Sequence, residues 1–286
     1  MSADASAPLE VREVEVDGVV LRVGTAGDGP PLLLINGIGA NLDMWGELVP
    51  QLPGRHVIAF DFPGTGGSPA LSGLRRMPAL AQLVVSLLDV LELECADVLG
   101  YSWGGALAQE LAHQAPERVR SLVLRATIPG LGGRPPPPWV FGAMVTPLRY
   151  YSKTYLRLVA PLIYGVRVRH DEGHVAARRQ RPPSLRGYTQ QLYAISGWSS
   201  LPWLRTLRLP VLVLSGRGDH LATARNGVVL ARRIRGATLH VVPGGHLFLL
   251  QDVDVAAAAV SRFLDSVDRG TAPFQRPQDQ GVARPS

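Results

Sequence analysis

Gly100-Tyr101-Ser102-Trp103-Gly104, followed by Gly105, sets a serine between two glycines in the pattern G-x-S-x-G. A serine hydroxyl attacks a carbonyl only where a neighbouring base takes its proton. The pattern is short, and its context gives it weight. Asp97–Leu99 reads as a strand leading in, and Trp103–His113 as a helix leading out, closed by Pro116. A serine on so tight a turn needs small neighbours, which Gly100 and Gly104 supply. The helix then aims its free N–H groups and its positive end at the hydroxyl. The plain alternative is a glycine-rich turn whose serine merely caps the helix.

Seven histidines could serve as the base. His246, in Pro243-Gly244-Gly245-His246, follows the last predicted strand and is placed to hang over a sheet edge. His113 lies on the helix beyond the serine and faces elsewhere, His56 and His240 fall within strands, and His170 and His174 fall in the long segment between strands. The base needs a carboxylate to orient it and to stabilise its charged form. Asp219, in Ser215-Gly216-Arg217-Gly218-Asp219, comes after the preceding strand; its alternative role is a helix cap. His220 beside it reads as exposed, and Asp61, in Asp61-Phe62-Pro63-Gly64, as part of a structural loop.

Acyl transfer also needs fixed N–H donors for the oxyanion. Trp103, the residue after the serine, supplies one. Ile38, in the turn Asn36-Gly37-Ile38-Gly39 after an early strand, is the candidate for the second. The residues therefore anticipate Ser102, Asp219 and His246 as catalytic and Ile38 and Trp103 as the oxyanion hole. No cofactor motif, phosphate-binding glycine loop or metal cluster stands out, so no cofactor or metal is expected.

The elements that must carry these residues alternate between β-branched runs and helical patterns, which predicts a mostly parallel sheet. Val11–Val16 and Val19–Val23 flank Asp17-Gly18, a strong hairpin signal. Leu32–Ile35, His56–Phe60, Ser121–Leu124, Val211–Leu214 and Leu239–Val242 are further strands, and Met77–Leu93 and Ala222–Ile234 are helices. From about Ile128 to Leu207 the alternation fails. That stretch carries Pro135–Pro138 and several aromatic residues, and reads as an all-helical cap over one end of the sheet.

The chain has 286 residues, 46% hydrophobic and 18% charged, an ordinary globular balance. Cys95 is the only cysteine, which excludes an intrachain disulfide and a cysteine-based zinc site. The amino terminus does not read as a signal peptide, and no apolar run reaches the ~18 residues of a membrane helix. A soluble, cytoplasmic protein is expected. The net charge is +6, carried almost wholly by arginine, and no nucleic-acid-binding motif accompanies it. Between Ile128 and Leu209, twelve Arg and Lys face only Asp171 and Glu172, a net +10 that leaves −4 for the rest. This basic segment is a candidate for docking on an anionic surface or for attracting carboxylate-ended chains.

With these residues in order, the sequence resembles the α/β-hydrolase superfamily from about Val11 to Phe263. Within it, the chain is most similar to intracellular depolymerases of medium-chain-length polyhydroxyalkanoate. The resemblance rests on Asn36-Gly37-Ile38-Gly39-Ala40-Asn41-Leu42, where most relatives begin with His-Gly, and on Ser102-Trp103-Gly104-Gly105-Ala106-Leu107-Ala108-Gln109. Pro116-Glu117-Arg118, Ala160-Pro161-Leu162-Ile163-Tyr164-Gly165, Gly197-Trp198 and Gly245-His246-Leu247-Phe248-Leu249 add to it. Tyr101 and the basic, proline-rich stretch Arg178–Pro183 depart from the pattern.

The resemblance implies an α/β fold with a mostly parallel eight-stranded sheet and an inserted helical cap. The expected division is a core over 1–127 and 208–268, a cap over 128–207 and a disordered tail over 269–286. It also implies hydrolysis of a polyester of 3-hydroxy acids, with a storage-granule surface as a partner. Trp139, Phe141, Met144 and Trp198 are expected to line a tunnel for aliphatic side chains. A general carboxylesterase, a carbon–carbon bond hydrolase and a binding protein that kept the fold remain open. Dehalogenases and epoxide hydrolases of this superfamily place Asp where Ser102 stands, and its polyester synthases place Cys there. The oligomeric state is not legible.

Overall fold

The computed structural model describes residues 8–165, 180–247 and 252–273. Eight strands form one sheet in the order β1-β2-β4-β3-β5-β6-β7-β8. β1 (Glu10–Val16) and β2 (Val19–Ala26) make the antiparallel hairpin. Asp17 and Gly18 take φ values of 50° and 73°, as the tight turn demands of both central residues. β2 pairs antiparallel with β4 (His56–Phe60), and every other pairing is parallel. At the centre, β3 (Pro31–Ile35), β5 (Ala96–Tyr101) and β6 (Val119–Arg125) are almost wholly buried. Their continuous apolar runs reflect burial on both faces of a parallel sheet. β7 (Val211–Gly216) and β8 (Thr238–Val242) complete it.

Helix α1 (Met77–Val90) ends three residues earlier than its periodicity suggests. Glu92 enters the left-handed region at φ 56°, while Leu91 and Leu93 keep packing on the core, so the pattern outlasts the helix. α2 (Trp103–Gln114) follows β5 directly and is buried over its first ten residues. Between β6 and β7 lie α3 (Pro138–Val145), α4 (Leu148–Tyr151), α5 (Lys153–Tyr164) and α6 (Leu185–Ile195). Ser152 and Ser184 cap α5 and α6 through their hydroxyls. This insertion holds no strand among the described residues, only an isolated bridge between Gly130 and Ser199.

α7 (Ala224–Arg233) starts two residues later than expected, after a turn in which the N–H groups of Leu221 and Ala222 donate to Asp219. α8 (Val253–Asp268) closes the fold with buried Ala256, Val260, Phe263 and Leu264. Beyond it, the N–H groups of Thr271 and Ala272 turn back onto the Ser266 carbonyl; the remainder of the expected tail lies outside the described residues.

Candidate active site

β5 delivers Ser102 to the carboxyl edge of the sheet, between a strand and the first turn of α2. Its backbone sits at φ 55° and ψ −115°, a region that non-glycine residues avoid and that costs on the order of 1–3 kcal/mol. The turn is possible because its neighbours lack side chains. A Cβ on Gly100 would stand 2.5 Å from the Gly104 carbonyl oxygen, and one on Gly104 would stand 2.3 Å from that of Ile35. The Ser102 N–H donates to the Arg125 carbonyl at 2.8 Å, which ties the turn to β6.

Three sequence candidates meet here. Asp219 follows β7, His246 follows β8, and both are buried. His246 Nδ1 is 2.8 Å from Asp219 Oδ2, and its Nε2 is 3.0 Å from Ser102 Oγ. A carboxylate can only accept, so Nδ1 carries the proton and Nε2 is left to receive the serine's. The other Asp219 oxygen accepts the N–H groups of Leu221 and Ala222, both at 2.8 Å, which fixes the carboxylate plane. The His246 N–H donates to the Tyr164 carbonyl at the end of α5, at 2.7 Å. Its ring stacks on that of Tyr164, centroids 6.0 Å apart, and has the tilted ring of Tyr101 at 5.2 Å. Tyr101 in turn lies under the Arg125 guanidinium.

The remaining described histidines stand elsewhere. His113 stacks on Trp203, His56 and His240 sit in β4 and β8, and exposed His220 places Nδ1 3.1 Å from the Leu162 carbonyl. His170 and His174 lie outside the described residues. Asp61 holds a loop: it accepts from the N–H groups of Leu42 and Gly67 and pairs with Arg22.

Ile38 lies on the turn after β3, and Trp103 opens α2. The turn and the serine are in van der Waals range, since a Cβ on Gly37 would stand 3.4 Å from that of Ser102. Asn36 is buried. Its Nδ2 donates to the Phe60 carbonyl at 3.1 Å, and its Oδ1 accepts the Trp45 indole N–H. The insertion grips the turn from above. Tyr150 donates to the Ile38 carbonyl, Gly39 N–H donates to Gln191 Oε1 at 2.7 Å, and the Trp103 indole donates to the Gln191 carbonyl at 2.9 Å.

Gly37, Ile38, Tyr101, Ser102, Tyr164 and His246 line a narrow cleft of about 10 Å³, roofed by Met144, Arg149 and Tyr150. Of the aromatic and thioether side chains expected in a tunnel, only Met144 is there. Trp139 and Phe141 are 63% and 61% exposed on the outer face of α3. Trp198 is buried away from the serine, with its indole N–H on Glu110 and its ring against Trp203. α3 is apolar nearly all round, so its sequence does not say which face turns inward. Arg149, Tyr150 and Gln191 escaped the sequence reading, because an arginine among twelve basic residues and a glutamine on a short helix carry no signal of their own. Among the described residues no cluster of metal-ligating side chains occurs, and no helix is long and apolar enough to cross a membrane.

A sheet of this order, with a serine on the tight turn after β5, an aspartate after β7 and a histidine after β8, defines a class. The chain belongs to the alpha/beta hydrolase fold family, whose pattern it matches over residues 30–253. It is 39% identical to a poly(3-hydroxyalkanoate) depolymerase of Ectopseudomonas oleovorans over 96% of this chain and 99% of that one. It is 29% identical to a 2-hydroxymuconate semialdehyde hydrolase of Pseudomonas sp. (strain CF600), over 94% and 98%. Among solved structures, the enol-lactonase of Burkholderia xenovorans superposes with a TM-score of 0.75 at 25% identity, covering 89% of this chain and all of the other.

Proposed function

We propose that this protein is a serine ester hydrolase that cleaves medium-chain polyhydroxyalkanoate to 3-hydroxyalkanoic acids or short oligomers. The observation that carries the chemistry is the hydrogen-bonded line Ser102–His246–Asp219 beneath the helical insertion. The likeness to a depolymerase over nearly the full length of both chains supports the substrate.

In this reading, Ser102 Oγ attacks the ester carbonyl while His246 Nε2 takes its proton. The N–H groups of Ile38 and Trp103 receive the oxyanion. The C–O bond breaks as His246 returns the proton to the departing alcohol. Water, deprotonated by the same imidazole, then releases the acid and restores the serine. Asp219 holds the tautomer and offsets the imidazolium charge. Ile38, Met144 and Leu221 offer the acyl chain an apolar wall.

The insertion is the cap of this hydrolase, and its outer face is the side that meets the polymer. Trp139, Phe141, Val145, Leu148 and Tyr151 are exposed there, on a segment whose sequence carries a net positive charge. Such a face suits a hydrophobic granule with an anionic coat in the cytoplasm. Arg181 lies on the described part of the basic stretch; Arg178 and Arg179 lie outside it.

Purified protein on a suspension of medium-chain polyester and on soluble p-nitrophenyl esters tests the proposal. Clearing of the polymer and a rate that rises from acetyl towards octanoyl are expected. Each buried methylene can contribute ~0.8 kcal/mol, so a few carbons suffice to show the trend. A profile peaking at acetyl with no clearing would make the protein a general esterase. Granule binding that persists unchanged from low to high salt would remove the electrostatic part of docking.

A further inference from the structure

Arg149 is a cation inside the molecule, on α4 of the insertion, and it lines the same cavity as Ser102 and His246. It is 3% exposed, and among the described residues no carboxylate stands within ion-pair distance of it. Its neighbours are neutral. Nη1 donates to the Tyr188 hydroxyl at 2.7 Å and to the Thr146 carbonyl at 3.3 Å, and Nη2 reaches the Tyr150 hydroxyl only at 3.5 Å. The guanidinium also faces the rings of Tyr150 and Tyr188. Nε–H has no hydrogen-bond partner. On this fork Nη1 is anchored, Nη2 has only its long contact to Tyr150, and Nε is left without a partner. An arginine guanidinium keeps its proton at any physiological pH, so Arg149 is a cation here. A buried charge without a counter-charge is costly to a fold, and a planar fork with an unmet Nε–H beside a weakly held Nη2 matches a carboxylate.

We propose that Arg149 binds the free carboxylate of the terminal unit of the substrate, so that the enzyme removes 3-hydroxy acids one at a time from the carboxyl end. This rests on the polyester reading above and adds direction to it. In a 3-hydroxy acid polyester, two carbons separate the last ester oxygen from the terminal carboxylate. That carboxylate lies within about 5 Å of the carbonyl carbon under attack, by bond lengths alone. Ser102 and Arg149 line the same narrow cleft, and a terminal unit that parts its roof from its floor would meet both. Tyr150 joins the two functions, since its hydroxyl lies near Arg149 Nη2 and donates to the carbonyl of Ile38.

The test compares a 3-hydroxyoctanoate dimer as free acid and as methyl ester, with p-nitrophenyl octanoate as a third substrate. For the wild-type protein, kcat/KM for the acid should exceed that for the methyl ester by at least tenfold, chiefly through KM. Arg149→Met, of similar length without charge, should bring the ratio close to one, and Arg149→Lys should hold an intermediate ratio. Equal or faster cleavage of the methyl ester by the wild-type protein overturns the proposal while leaving the polyester reading intact. A folded Arg149→Met protein that keeps the wild-type ratio also overturns it. Cleavage of p-nitrophenyl octanoate but of neither dimer overturns both. Should the Met variant fail to fold, the wild-type ratio decides alone.

Discussion

Gln191, on α6 of the insertion, accepts the main-chain N–H of Gly39, on the turn after β3, at 2.7 Å. Two segments 152 residues apart thereby share one small hinge of the site. Gly39 adopts φ 68°, and Tyr150 and Tyr188 pack so closely that a Cβ there would stand 2.8 Å from the Tyr150 ring. The turn that carries Ile38 is thus shaped from above as well as from the sheet.

Gln191→Ala should therefore loosen the turn that carries Ile38. A buried N–H left without a partner costs about 1–3 kcal/mol. Thermal unfolding should register that loss, and kcat for a soluble ester should fall about tenfold with KM nearly unchanged. An unchanged kcat would show that the contact is structural only.

Asp219→Asn should lower kcat by about four orders of magnitude while the fold persists, because the amide presents an N–H to Nδ1 and favours the wrong tautomer. Circular dichroism and turnover of p-nitrophenyl octanoate would check both halves. A loss below tenfold would remove Asp219 from the mechanism.

The positions where the sequence spoke clearly were those where backbone geometry restricts residue type. Gly100, Gly104, Asp17 and Gly18 announce turns, and the apolar runs of β3 and β5 announce a sheet buried on both faces. Ser102, Asp219 and His246 were legible because each follows such a run. The insertion was legible only as helical. Its helices are short, α3 is apolar on every side, and what Trp139, Phe141 and Trp198 touch depends on how helices pack rather than on local pattern. Gln191 meets Gly39 across 152 residues of chain and Arg149 meets Tyr188 across 39, which no local spacing records.

Gly104→Ala should be severely destabilising. The added methyl would meet the carbonyl oxygens of Ile35 and Asn36 at 2.3 and 2.4 Å, and both belong to backbone that cannot swing away. A loss of about 3 kcal/mol or more, or insoluble expression, is expected, at the upper end for overpacking. A melting temperature within a few degrees of wild type would contradict the tight turn.

Tyr188 links stability to alkaline pH. Burial, foremost, raises its pKa from 10.0 to about 12, and its hydroxyl donates to the Met144 carbonyl at 2.5 Å. The folded state holds the proton more tightly than the unfolded one, so its contribution is complete below pH 10 and is lost as pH rises from 10 towards 12. Two units correspond to about 3 kcal/mol. Denaturant melts from pH 9 to 11.5 should show a steeper decline for wild type than for Tyr188→Phe. Parallel curves would mean that Tyr188 titrates normally.

The most direct measurement of the central claim is covalent capture of the nucleophile. An octyl p-nitrophenyl phosphonate mimics the tetrahedral intermediate of a medium-chain ester. One equivalent should be incorporated, tandem mass spectrometry should place it on Ser102, and release of 3-hydroxyalkanoic acids from suspended polymer should fall in proportion to labelling. Ser102→Ala should take no label and release no acid while retaining its fold. Acid release that continues in the fully labelled protein, or in Ser102→Ala, would contradict the account.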